Sequence, residues 1–415
     1  MKFFLICLLT VFSSLYVFAG GKPVMENGVK VIEINRPYTN TMSIVFFVKG
    51  GTIRETEKNN GIGELFTASW VKSSELLKQV EFYGGGISAS VSSDFMEVSF
   101  SIPSDKFDKL IGFYSLMLTN PAVDAEVFKR EKNLLKEAII STEDNPSSKA
   151  FKNFSKATYG AHPYGLPAEG SLESVESLTE GDMKSYAKEM LTGRNITLAV
   201  AGNFTEDQMG RIRAIFAALP AGKAYVPSCE GSGIGKDSRI EEKDKNAEQA
   251  KLYIGYTAPD AADKDYPALK VVTDILGGGM SSRYFNELRK DKGYAYSVGS
   301  AYASKLCKSR FMSFIGLNGE NVPDAIDSID RINRTFTETL TDEELEAVKN
   351  YMLGKILSES QTNSKQAWYA CFFENVGLSS SYFENYIDVL RHITKDDVKR
   401  AAKIFEGPKT VYILN

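Results

Sequence analysis

The order of predicted elements runs through this chain twice, and that repeat limits the fold more than any single motif. In the first half the apolar run Met42–Val48 reads as a strand, and Gly61–Tyr83 carries helical spacing. Alternating segments Gly86–Ser92 and Met96–Ile102 follow, then helical stretches Asp105–Leu118, Asp124–Ser141, Ser147–Tyr159 and Glu180–Met190, and a strand Asn195–Ala201. The second half runs Lys251–Tyr256 (strand), Ala268–Gly277 (helix), then strands Ala295–Ala303 and Phe311–Leu317. Helices Val322–Thr339, Thr341–Ser360, Lys365–Val376 and Lys395–Phe405 come next, and Thr410–Leu414 is a final strand. Two local matches support duplication. Leu178-Thr179-Glu180-Gly181-Asp182 matches Ile393-Thr394-Lys395-Asp396-Asp397, and Ala150-Phe151 matches Ala367-Trp368 at nearly the same displacement. The expectation is an α+β fold of two tandem homologous domains, each an antiparallel-type sheet packed with helices and not a doubly wound sheet. Residues 20–220 form the first domain and 250–415 the second. Residues 221–249, rich in Gly, Ser, Lys, Asp and Glu, read as a surface linker.

The balance of 49 Lys+Arg against 53 Asp+Glu leaves a net charge of −4, without the basic footprint of a nucleic-acid binder. Only 2 histidines occur, which excludes any mechanism that needs several imidazoles. Met1-Lys2, the apolar run Phe3–Phe18 and the small residue Ala19 read as a signal peptide over residues 1–19. The expected location is therefore outside the cytoplasm, in a bacterial periplasm, with no membrane attachment after cleavage. Beyond that segment stand Cys229, Cys307 and Cys371, an odd number at wide spacings. One disulfide with a free thiol, or no disulfide, both fit; zinc ligation with His162 or His392 has no CxxC or HxxxH spacing behind it, and small buried hydrophobes are preferred to it.

Four strings occur in order along the chain: Asn59-Asn60-Gly61-Ile62-Gly63 within Ile53–Trp70, Glu143-Asp144-Asn145-Pro146 behind Lys129-Arg130-Glu131 and Glu137-Ala138, His162-Pro163-Tyr164-Gly165, and Leu276-Gly277-Gly278-Gly279-Met280-Ser281-Ser282-Arg283. Together they resemble the insulinase, pitrilysin and mitochondrial-processing-peptidase family of zinc proteases, over essentially the whole chain from Pro23. The resemblance implies two similar α+β domains. It also implies an inverted zinc motif, H-x-x-E-H, whose two His share one helical face with a general-base Glu between them. Here the matching window is Glu64-Leu65-Phe66-Thr67-Ala68. Both imidazoles are replaced, by Glu64 and Ala68, and the base position holds Thr67. The position of the family's third ligand, a Glu on a later helix, is Ala138. The expectation is that this chain binds no zinc and has no catalytic residue of its own.

The same resemblance places Arg289 and Tyr296, seven apart, at the family's substrate-supporting Arg/Tyr pair. A guanidinium and a phenol there can donate to a peptide carbonyl and to the oxyanion that develops on it. The implied function is that of a zinc-less subunit of an exported heterodimeric metallopeptidase. Its partners would be a zinc-bearing homologous subunit and a peptide or unfolded-protein substrate, and the zinc would sit in that partner. The alternative is a non-catalytic peptide- or protein-binding scaffold of the same fold. Gly86–Ser92 is a candidate edge strand for peptide addition. His162 and His392 read as structural or surface residues. Glu230–Asp237 fails as a phosphate loop, because it lacks the first Gly and carries Asp237 where a hydroxyl is needed.

Overall fold

The run Met42–Val48 is apolar without alternation, as a strand covered on both faces must be. In a computed structural model that describes residues 23–415, this run is the centre of the first sheet. The expected signal segment 1–19 lies outside the described residues. Six strands make that sheet: β1 (Val24–Glu26), β2 (Val29–Asn35), β3 (Thr41–Lys49), β4 (Gly86–Val91), β5 (Phe95–Pro103) and β6 (Ile196–Gly202), in the order β1-β2-β6-β3-β5-β4. Only β2 and β6 pair in parallel; the other neighbours are antiparallel.

A second sheet holds β7 (Ser238–Glu242), β8 (Ala250–Ala258), β9 (Ser297–Tyr302), β10 (Ser309–Leu317) and β11 (Lys409–Leu414), in the order β7-β11-β8-β10-β9. Again one pair is parallel, β7 with β11. Apart from β1, the two sheets have one topology: β2-β6-β3-β5-β4 superposes in order and direction on β7-β11-β8-β10-β9. The sequence repeat is thus a repeat of topology, and the α+β expectation of two similar units with antiparallel-type sheets is met.

The stretch 221–249 differs from its reading as a linker. Part of it is β7, the counterpart of β2, so the second repeat begins inside it. Composition hides this strand because β7 is an edge: charged residues suit its open side, and Ile240 alone among its five residues is apolar. A second difference is the strand β2 and the helices Glu206–Ala217 and Tyr382–His392, which the periodicity reading passes over.

The halves exchange helices. Asn363–Asn375, from the second half, lies on β3 and β6 of the first sheet, and Pro146–Tyr159, from the first half, lies on β8 and β11 of the second. Val45, Phe47, Ala199 and Ala201 therefore share a core with Ala367, Ala370 and Phe372. In the reverse direction Ala150 and Phe154 pack with Tyr412 and Leu414. Asn363 fixes the first exchange: its side-chain nitrogen donates to the Thr41 carbonyl at 2.8 Å, and its oxygen accepts from Arg36 at 2.9 Å. Gly202 leaves room for this bond, since a Cβ there would lie 2.9 Å from the Asn363 amide and its φ is +130°. Trp368 of the same helix donates to Glu97 on β5 at 2.7 Å. Both β4 and β9 remain as sheet edges, each paired on one side only. No helix of the described residues is long and apolar enough to cross a membrane.

Candidate functional site

The Ile62–Ser73 helix begins at Gly61, whose φ of +91° only glycine adopts without strain. No side chain on the helix caps it. Instead the Glu55 carboxylate reaches over its start and accepts from the backbone of Gly61 at 2.8 Å and of Gly63 at 3.1 Å, and from Asn60 at 2.8 Å. Burial pushes the Glu55 carboxyl upward, and these donors oppose the shift.

Glu64, Thr67 and Ala68 follow on the first two turns. The Thr67 hydroxyl is buried and turned back on its own helix, donating to the carbonyls of Gly63 at 3.0 Å and Glu64 at 3.1 Å. Ala68 offers a methyl group. Glu64 is half-buried, and burial and the nearby Glu169 carboxylate both raise its pKa. Across from this helix, Ala125–Asp144 carries Ala138 at the third ligand position and Glu131 two turns earlier. Glu131 is buried, and Lys72 reaches it at 2.5 Å. An ion pair therefore ties the two helices that the resemblance would join through zinc. One carboxylate, a self-satisfied hydroxyl and two methyl groups do not make a tetrahedral zinc site. Among the described residues no group of three or more His, Cys, Asp or Glu side chains is placed to hold a metal.

Arg289 lies in a π-helical turn, Phe285–Asp291, and Tyr296 immediately precedes β9. The structure brings them together: Arg289 Nη1 donates to the Tyr296 carbonyl at 3.0 Å, and the guanidinium lies 5.3 Å from the Phe285 ring. The Tyr296 amide is held in turn by the Gly316 carbonyl at 3.0 Å. The Tyr296 side chain stands 64% exposed. Wide π turns displace a side chain from the regular helical path, and here Arg289 is carried to the head of the edge strand.

At the other end of β9 a cavity of about 700 Å³ opens between the halves. Val91–Ser93 at the end of β4, the helix Pro146–Tyr159, the loop 164–169, and Ala301–Ala303 with Arg310 line it. Four strand residues separate Tyr296 from Ala301, so the pair stands about 17 Å from this cavity along the sheet edge. Glu169 on its wall is the carboxylate that raises the Glu64 pKa, so the cavity adjoins the degenerate zinc motif.

Beneath the cavity lies a polar cluster that sequence reasoning missed. Asp94 accepts from the Tyr164 hydroxyl and from the Leu306 amide at 3.1 Å. Tyr164 in turn accepts from the Cys307 amide at 3.1 Å. Lys305 bonds to Ser93 and lies 4.0 Å from the centre of the Tyr164 ring; burial lowers its pKa to about 8, against the pull of Asp94. The Arg310 guanidinium carbon lies 3.3 Å from the centre of the Tyr159 ring. Arg310 is 6% exposed, and its Nε has no hydrogen-bond partner. Burial lowers its pKa to about 10. An unpaired buried ion costs several kcal/mol, and a cation–π contact offsets about 1–2 kcal/mol of that. The only sequence signal was a charged residue at the head of an otherwise apolar strand, since the periodicity reading began that strand at Phe311.

Cys229 and Cys307 form a disulfide, and Cys371 is a buried free thiol. Of the two states that spacing left open, the structure has one disulfide with a free thiol: the loop before β7 folds back over the second half, a contact that spacing alone does not encode. His162 is buried, accepting from the Tyr164 amide at 3.2 Å and meeting the Ser228 carbonyl at 3.2 Å. His392 is exposed at the end of its helix, with Nδ1 2.9 Å from the Asp388 carbonyl. Both fit the structural or surface role expected of them.

Residues 30–171 match the family model for insulinase (peptidase family M16), and residues 177–352 match that for the peptidase M16 inactive domain. The chain belongs to peptidase family M16. An uncharacterized zinc protease of Bacillus subtilis, YmxG, is 29% identical over 360 residues, covering 82% of this chain and 85% of the relative. Among solved structures, a peptidase M16 inactive domain from Pseudomonas fluorescens superposes with a TM-score of 0.87 at 19% identity, covering 95% of this chain and 98% of that one. A protease from Helicobacter pylori superposes at 0.85, also at 19% identity, covering 95% and 99%. This M16 chain therefore has the two-unit fold, with no zinc-binding group among its described residues.

Proposed function

We propose that this M16 chain is the zinc-less, Arg/Tyr-bearing subunit of an exported, periplasmic heterodimeric metallopeptidase. In this reading it holds a peptide for a homologous zinc-bearing partner. The observation that carries the reading is the Arg289–Tyr296 contact. An exposed bond from the Arg289 side chain to the Tyr296 carbonyl fixes the strand head while leaving the Tyr296 phenol in solvent, where a substrate carbonyl can reach it. Water activation falls to the partner. This chain contributes orientation of the peptide and a donor to its carbonyl oxygen. The edge strand β4, with a free side next to the cavity, offers main-chain hydrogen bonds to an extended peptide.

The test is purification of the tagged full chain from the periplasm of its native cell, followed by zinc and peptidase assays. The reading expects a stoichiometric zinc-bearing homologue in the eluate. It also expects peptidase activity that falls about tenfold or more in Tyr296→Phe and Arg289→Ala, with the pair of chains still assembled. Elution as an inert chain without such a partner would favour the binding scaffold of the same fold.

A further inference from the structure

We propose that the cavity between the two halves is a carboxylate-binding subsite for peptides, with Arg310 as its anchor. The inference rests on the reading of this chain as a peptide binder and is independent of any zinc-bearing partner.

Arg310 is nearly inaccessible, yet its Nε finds no hydrogen-bond partner among the described residues. Its contacts are the faces of Tyr159 and, at 5.6 Å, Phe154. Aromatic faces orient a guanidinium without using its in-plane N–H donors, so the fork that matches a carboxylate stays free. The surrounding backbone is cut to receive this side chain. A Cβ on Gly255 would lie 3.0 Å from the Arg310 Cδ and 2.7 Å from the Phe154 ring.

The other charges of the wall divide into two groups. Lys152 is paired with Glu143, and Lys305 is bonded to Ser93 beside Asp94. Glu169, the remaining carboxylate of the wall, faces Glu64 and Lys152. Arg310 is thus the cation of the cavity that no carboxylate pairs with among the described residues. The cavity volume of about 700 Å³ admits several residues of a peptide, and Phe151, Tyr159 and Met312 supply apolar wall. A carboxylate seated on Arg310 would complete the guanidinium's hydrogen bonds in a site largely shielded from water, where such bonds are strongest. It can come from a peptide C-terminus or from an Asp or Glu side chain.

Equilibrium dialysis of the isolated full chain against three pools of short mixed-sequence peptides tests this. One pool has free C-termini and no acidic residues, one has amidated C-termini and a single Glu, and one is amidated without acidic residues. The subsite expects either of the first two to be retained about tenfold better than the third. Which of the two is favoured identifies the source of the carboxylate. That preference should vanish in Arg310→Met and shrink in Arg310→Lys. Equal retention of all three pools overturns the subsite while leaving peptide binding intact, and retention of none overturns both. The comparison among ligands decides the matter even where Arg310→Met fails to fold.

Discussion

Ala150 and Ala367 hold equivalent places in the two repeats, and each is completely buried on the sheet of the opposite half. Small side chains at these points let each exchanged helix approach the foreign sheet closely. The halves are consequently not two beads on a string: each core is completed by a helix of the other.

Enlarging either alanine should destabilise the whole chain. Ala367→Leu and Ala150→Leu are expected to cost about 1–3 kcal/mol each by overpacking. Urea unfolding followed by tryptophan fluorescence checks both the size and the cooperativity, since Trp70 lies in the first half's own core and Trp368 packs against the core shared with the second half. Two separate transitions would contradict the exchanged cores.

The Cys229–Cys307 disulfide closes a loop with a sequence separation of 78 residues. Its removal in the double variant Cys229→Ser, Cys307→Ser should lower stability by about 3–4 kcal/mol, through the entropy released to the unfolded chain. Native thiol titration should find Cys371 unreactive, because burial raises its pKa well above the usual thiol range.

The degenerate motif makes a metal prediction. Chelator should leave the melting temperature of the isolated chain unchanged, and equilibrium dialysis should find no stoichiometric zinc. Combining Glu64→His, Ala68→His and Ala138→Glu should restore binding at about one zinc per chain, provided these positions face each other as the resemblance implies. Zinc bound tightly by the unaltered chain would refute the assignment.

Lys305 gives a pH dependence. Its pKa is lowered from the ordinary 10.5 to about 8 by burial. Below pH 8 the amine is protonated in both folded and unfolded chains, so the cost of burying the charge is fully present. Between about pH 8 and 10.5 the folded chain has released that proton while the unfolded chain retains it. The unfolded state then binds more protons, and stability gains with pH. Relative to Lys305→Met, the natural chain should gain on the order of 2 kcal/mol across this window. Paired denaturation curves at pH 7.5 and about 10 measure it; a relative loss with rising pH would contradict the burial argument.

Much of this protein was legible in its linear order. The β3 run, the capped helices and the two local matches are short-range patterns, and short-range periodicity reports which faces are buried. The loss of two ligand positions was legible too, because the methyl side chains of Ala68 and Ala138 carry no ligand atom in any conformation. Arg289 and Tyr296 came from a motif match, and their contact across seven residues is local enough for sequence to indicate.

The rest depends on contacts between distant segments. Strand β7 is visible only as the partner of β11, because an edge strand with one apolar residue has no pattern of its own. The exchange of the Ala150 and Ala367 helices leaves no trace in periodicity, since an apolar helical face is the same whichever sheet covers it. Arg310 and Tyr159 are far apart in the chain, and their stacking follows from how the two halves close. The sequence determined which surfaces must be buried and which chemistry was lost. Tertiary packing alone chose the partners of those surfaces, because burial is non-directional and only the closed fold fixes which groups meet.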